Sequence, residues 1–138
     1  MTGILIATHA NLGQALIDTV EFILASKIDN IAFVSIDIKE QADSLHKKIK
    51  KGIKTVQQEE GGVIIFTDMF GGTPSNLSYS FLEEGAVEVI SGVNLPILLK
   101  AVNIRDKMSL SEAATLLVEQ GRKSISLASD ILKGSRRE

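Results

Sequence analysis

A stretch of ten residues holds most of the chemistry this chain can offer: Thr67-Asp68-Met69-Phe70-Gly71-Gly72-Thr73-Pro74-Ser75-Asn76. It follows the apolar run Gly62-Val63-Ile64-Ile65-Phe66 and precedes a helical spacing through Leu77, Phe81 and Leu82. It therefore reads as a strand-to-helix turn with one acid, two glycines, a Thr-Pro and an Asn. Glycines in such a turn let backbone approach a ligand, and a helix N-terminus behind them favours an anion. A second turn, Thr8-His9-Ala10-Asn11, closes the first strand-like run, Ile4-Leu5-Ile6-Ala7. A His at one strand end and an Asp at another suggest phosphoryl chemistry. A neutral imidazole attacks phosphorus through one nitrogen while the other donates to an acceptor. A carboxylate at that acceptor position fixes the tautomer, orients the ring and stabilises the cation-like product. His9 and Asp68 are the candidates for these two roles. Donors for the phosphoryl oxygens would come from the backbone N–H groups of Gly71, Gly72 and Thr73 and from the Thr73 hydroxyl. Gly72 would also remove a side chain that blocks close approach.

Each motif has a plainer reading. A lone His after a strand is more often a surface or structural residue. The Asp-x-x-Gly-Gly turn can be turn chemistry alone, with Asp68 capping the next helix. The two motifs gain force together, because they fall at equivalent strand ends. The other histidine, His46, sits on a lysine-rich helix face and reads as solvated. The lysines around it, Lys47, Lys48, Lys50, Lys51 and Lys54, read as a solvated face first and a docking site for an acidic partner second.

Strand-like and helical patterns alternate along the chain. Strands are expected at 4–7, 31–37, 63–67 and 87–90. Helices are expected from Leu12 to beyond Val20, over 41–58 with Leu45, Ile49, Ile53 and Val56 inside, over 74–83, and from Leu95 with Pro96 in its first turn. A further helix carries Leu110, Ala113, Ala114, Leu117 and Val118, with Ser109 as N-cap and Glu112 three residues on. Residues 124–129 alternate polar and apolar, which suits an edge strand with one wet face or the continuation of a helix to Leu132. Strict β-α alternation with continuous apolar strands predicts an open, doubly wound, mostly parallel α/β sheet with helices on both faces. In such sheets ligands bind beyond the carboxyl ends of the strands where strand order reverses. His9 and Asp68 face each other there if strands two and three flank strand one.

The bulk properties set limits. The chain of 138 residues has 44% hydrophobic and 23% charged residues and a net charge of −2, so no global field argues for nucleic acid or a membrane surface. One domain over 1–132 and a polar tail over 133–138 are expected. There is no cysteine, which excludes disulfides and thiolate metal sites and fits a cytoplasmic protein. No apolar stretch approaches the roughly 20 residues a membrane span needs, and the first apolar run is too short for a signal peptide. The Gly-Gly turn has no P-loop lysine and no His-rich cluster exists, so no cofactor and no metal are expected.

The early Ile-Ala-Thr-His, the Thr-Asp-Met-Phe-Gly-Gly-Thr-Pro-Ser-Asn block and Ser-Gly-Val-Asn-Leu-Pro-Ile-Leu-Leu together have a known look. In order and spacing they resemble the IIA component of the mannose family of the bacterial phosphoenolpyruvate-dependent sugar phosphotransferase system, from residue 3 to about 125. The resemblance implies a phosphocarrier: His9 would accept a phosphoryl group from the histidine phosphocarrier HPr and pass it to a IIB component. Asp68 would orient His9, and Thr73 with neighbouring backbone groups would bind the phosphoryl oxygens. It further implies a homodimer formed by exchange of a C-terminal antiparallel edge strand, which favours the strand reading of 124–128. The chain ends after the IIA region, so IIB is expected on a separate polypeptide. One departure stands out: the family usually has Gly after the active His, and this chain has Ala10. Either the loop differs, or that position does not need positive φ.

Other functions use similar parts. The phosphotransfer subunit of dihydroxyacetone kinase shares the fold and an early His, but the Asp-x-x-Gly-Gly-Thr-Pro block looks like the sugar-transport branch. A receiver domain also ends strand three with an Asp, yet needs an acidic pair after strand one, where this chain has Thr8-His9. A regulatory sensor phosphorylated on His9 without sugar transport would need the same site.

Overall fold

The computed structural model describes residues 1–137. Its elements run β1 (Gly3–His9), α1 (Leu12–Leu24), β2 (Ile31–Ile36), α2 (Ala42–Val56), β3 (Val63–Thr67), α3 (Thr73–Tyr79), β4 (Val87–Ser91), α4 (Leu95–Ile104), α5 (Leu110–Lys123) and α6 (Ala128–Arg137). The strands form one parallel sheet in the order β2-β1-β3-β4. After β1 the chain crosses to one side for β2 and returns on the other for β3. The order therefore reverses at β1/β3, which meets the condition for His9 and Asp68 to face each other.

Every strand alternates which face it feeds. Ile4, Ile6, Ile64 and Phe66 point to the layer made with α1, α4 and α5, where Ile17, Val20, Leu98 and Leu117 are buried. Leu5, Ala7, Val63 and Ile65 point to the opposite layer, closed by Leu45, Ile49, Ile53 and Val56 of α2. Those four are the inner stripe read from the helical spacing. Burying each such side chain contributes about 1.5–3 kcal/mol, so the central strands are rigid supports for whatever their tips carry.

The caps follow the sequence signals. Asn94 Oδ1 accepts from the Ile97 N–H at 2.9 Å to start α4. Ser109 Oγ accepts from the Glu112 N–H at 3.2 Å and donates to the Glu112 carboxylate at 2.9 Å to start α5. One start was not legible: the buried Thr8 hydroxyl, from the end of β1, accepts the Gly13 N–H at 2.9 Å inside the first turn of α1.

Three local expectations are corrected. The helix expected over 74–83 is only Thr73–Tyr79. Beyond it the backbone tightens to i→i−3 bonds from Ser80, Phe81 and Leu82, while the Ser78 and Ser80 hydroxyls bond back to Pro74 and Leu77 carbonyls. Gly85 at φ +76 then turns the chain into β4. The expected C-terminal edge strand is not formed within the chain: residues 124–127 pair with no strand, and α6 follows. The segment therefore leaves Ile125 and Leu127 exposed on a single protomer. α6 also continues past residue 133, where a frayed tail was expected; Glu138 lies outside the described residues.

His46 differs as well. It is exposed, but its ring stacks on Phe81 with centroids 4.4 Å apart, tying α2 to the segment after α3.

Candidate functional site

β1 and β3 are neighbours, and Ala7 pairs with Thr67, so the next residues leave the sheet side by side. These are His9 and Asp68. Asp68 Oδ2 lies 2.7 Å from His9 Nδ1 and accepts the His9 backbone N–H at 3.0 Å. Asp68 Oδ1 accepts the Met69 N–H at 3.0 Å. Both oxygens of the carboxylate are thus occupied, and Asp68 caps no helix, since α3 is capped at Gly72. The Asp68 side chain is only 13% exposed, against 39% for His9. Burial alone would raise the Asp68 pKa. The bonds from the His9 backbone and ring, with the charge of His9, outweigh burial and hold the pKa below its ordinary value. An ionised carboxylate can only accept, so Nδ1 carries the ring proton. In the neutral ring this leaves the lone pair on Nε2.

The two glycines of the turn do different work. Gly71 has φ +84, with nothing within 4 Å of an added Cβ, so it serves the backbone bend. Gly72 has an ordinary φ of −85, but a Cβ there would come 3.0 Å from His9 Cε1 and 3.7 Å from Nε2. It leaves room for the ring edge that carries the lone pair. Thr73 opens α3 and is half-buried. The structure therefore brings His9, Asp68 and Gly72 into contact, with Gly71 shaping the turn and Thr73 following it.

Ala10, after His9, has φ +49 and donates its N–H to the Ile36 carbonyl at 3.2 Å. Of the two explanations for Ala replacing the family's Gly, the second is wrong. The position does need left-handed backbone, and Ala adopts it at a cost of about 1–2 kcal/mol.

On the β2 side His9 borders a groove of about 500 Å³ with Asn11, Ser35, Asp37, Ile38 and Lys48 among its walls. Lys48 belongs to the lysine-rich face of α2, and its ammonium pairs with Glu40 at 2.5 Å. On the other side Met69 and Phe70 stand 55% and 79% exposed next to Asp68. The site is thus a polar pair set in an apolar rim. Met69, Phe70 and Ile38 were not singled out by sequence reasoning, because apolar residues in turns have no periodicity to mark them.

Comparison with known proteins gives the family of the chain. The family model described as PTS system fructose IIA component matches residues 3–118. The chain is 29% identical over 134 residues to the PTS system fructose-specific EIIA component of Bacillus subtilis (strain 168), covering 96% of this chain and 90% of that one. It is 31% identical over 124 residues to the PTS system mannose-specific EIIAB component of Escherichia coli (strain K12), covering 88% of this chain but 38% of that longer protein. Among solved structures, the PTS IIA protein associated with the fucose utilization operon from Streptococcus pneumoniae superposes with a TM-score of 0.80 at 25% identity, over 95% of this chain and 96% of that one.

Proposed function

Because this chain belongs to the fructose/mannose IIA family of the sugar phosphotransferase system, we propose that it is a phosphocarrier that takes its phosphoryl group on His9 Nε2. The donor is phosphorylated HPr and the acceptor a IIB component. The observation that carries the reading is the 2.7 Å contact between His9 Nδ1 and an ionised Asp68. The Nε2 lone pair attacks the donor's phosphorus and a new N–P bond forms as the donor's own bond breaks. The donor ring leaves with that electron pair. No proton need move: the Nδ1 proton stays between ring and carboxylate, where Asp68 balances the cationic character gained by the phosphorylated imidazole. Gly72 lies against the Nε2 edge, and the backbone N–H groups of Gly71, Gly72 and Thr73 with the Thr73 hydroxyl serve the phosphoryl oxygens. The exposed Met69 and Phe70 offer a carrier an apolar surface beside the reacting nitrogen. Transfer to IIB is the same exchange in reverse.

No described helix is long and apolar enough to cross a membrane, and the reading places the protein in the cytoplasm with its carrier partners. It also takes the protein to be a homodimer. Among the described residues the outer edge of β4 has no strand beside it beyond a bridge from Glu83 to Val87, and Ile125, Leu127 and Leu132 near the C-terminus are exposed at 81%, 63% and 58%. Segment 124–128 of a second copy, laid along that edge, would cover an unpaired strand.

The test is incubation with phosphoenolpyruvate, enzyme I and HPr, read by intact mass with His9→Ala alongside. One phosphoryl group gained, alkali-stable and absent in His9→Ala, is expected. No gain with a competent HPr overturns the reading.

A further inference from the structure

Behind the Gly-Gly turn four hydroxyls from separate stretches of chain converge: Thr67 at the end of β3, Ser75 and Tyr79 on α3, and Ser91 at the end of β4. Thr67 and Ser75 are fully buried. Ser75 Oγ donates to the Met69 carbonyl at 2.5 Å and lies 2.5 Å from Thr67 Oγ1 and 3.0 Å from Ser91 Oγ. Thr67 Oγ1 donates to Ser91 Oγ at 2.9 Å, and the Tyr79 hydroxyl meets Ser91 Oγ at 3.0 Å. A carbonyl can only accept, so the single Ser75 proton is committed to Met69; with the one Thr67 proton given to Ser91, the Ser75 oxygen is left to accept from Ser91.

The consequence lies one residue away. Met69 is held at both backbone groups: its N–H by Asp68 Oδ1 and its carbonyl by Ser75. The turn from Asp68 to Gly72 contains a left-handed Gly71 and is tied on one side to His9 at the end of β1. On the far side from His9 its first half is anchored by this buried serine, and its last residue by the Asn76 N–H, which donates to the Gly72 carbonyl at 3.0 Å. We infer that Ser75 is a positioning residue, whose bond to the Met69 carbonyl sets the turn so that Asp68 meets His9 Nδ1 and Gly72 meets the ring edge. The role rests on the reading that His9 carries the phosphoryl group, but its most direct signature does not. A turn that slackens lets the neutral ring lose its single tautomer, whether or not phosphate ever arrives. Ser91 and Tyr79 are outer members, because removing either leaves the Ser75–Met69 bond in place.

The experiment uses full-length chain labelled with ¹⁵N-histidine at a pH where imidazole is neutral, comparing wild type, Ser75→Ala and Ser91→Ala, with His46 as an internal reference. Wild-type His9 is expected to hold its proton on Nδ1. Ser75→Ala should give a mixture of tautomers and roughly tenfold slower phosphoryl uptake, whereas Ser91→Ala should keep the wild-type ring signal. An unchanged His9 signal in Ser75→Ala overturns the inference, as does an equal disturbance in Ser91→Ala. A ring signal that responds to Ser75 in a protein that takes up no phosphoryl group supports the positioning role and sinks the carrier reading instead. If Ser75→Ala does not fold, Ser75→Cys replaces it with a weaker donor of similar shape. A folded Cys variant with a wild-type His9 signal likewise overturns the inference.

Discussion

Replacing Asp68 by Asn is the sharpest perturbation the site allows, because the shape is kept and only the charge and one acceptor are lost. The carboxylate accepts from His9 Nδ1, the His9 N–H and the Met69 N–H. An amide must put its NH₂ at one of the two oxygen positions. Facing His9, it would oppose the backbone N–H and turn the ring proton to Nε2, blocking the nucleophile. Facing Met69, it loses one bond and leaves both bonds to His9, so this orientation is favoured. The tautomer then survives, but its acceptor is neutral. Exchanging a charge-assisted bond for a neutral one costs about 1–2 kcal/mol. The missing negative charge costs more as the ring becomes cationic. Unit charges about 4 Å apart at an effective dielectric of about 20 attract by about 4 kcal/mol, which screening at this half-exposed ring reduces to about 1–2 kcal/mol. The first loss falls equally on the resting and the reacting ring, so only the second, about 1–2 kcal/mol, enters the barrier and predicts phosphoryl transfer to His9 slowed roughly 5- to 30-fold. Quenched single-turnover mass spectrometry at saturating phosphorylated carrier reads this step apart from binding. A rate within about threefold of wild type would refute the argument that the carboxylate stabilises the phosphorylated ring.

Three further outcomes follow from the same geometry. Because the folded-state pKa of Asp68 is depressed, its contribution to stability is complete above the unfolded value of 3.8 and lost as pH falls through the lower folded value; urea unfolding of Asp68→Asn should lose part of the wild-type drop in stability between pH 5 and pH 3, and parallel curves would contradict this. Gly72→Ala should keep the fold yet slow phosphorylation by roughly tenfold, since its Cβ would press on His9 Cε1, whereas Gly71→Ala, with no neighbour to strike, should cost about 1 kcal/mol of stability through its positive φ and leave the His9 signal in place; paired calorimetry and uptake assays check the contrast. Ala10→Gly should raise the unfolding free energy by about 0.5 kcal/mol, as relief of left-handed strain exceeds the added freedom of the unfolded chain; a loss of stability in urea would show that the Ala10 conformation is not strained.

Much of this protein could be read in one dimension because its determinants are local. Continuous apolar strands alternating with amphipathic helices leave parallel pairing as the economical solution, and the ends of the first and third strands meet once the second and third flank the first, as the sheet order has it. His9 and Asp68 occupy those ends, so their meeting was legible on that condition. Asn94 and Ser109 were legible too, since a cap bonds within three residues of itself. Three features were not. The backbone of Ala10 is left-handed because the chain must turn from β1 while its N–H reaches Ile36, a residue 26 positions on. The segment 124–128 alternates correctly for a strand, but alternation does not say which edge a segment joins, and within the single chain it joins none. The hydroxyls of Thr67, Ser75, Tyr79 and Ser91 each look like ordinary surface polarity in sequence. The sheet order that sets β4 beside β3, and packs α3 against both, is what turns them into one hydrogen-bonded network, buried at Thr67 and Ser75. What the sequence determined by itself was the two candidate side chains and the strands that end at them, because periodicity and turn chemistry are short-range properties. What only the tertiary structure decided was how firmly the Asp68 turn is held, because that depends on hydrogen bonds between groups the chain brings together only after it has folded.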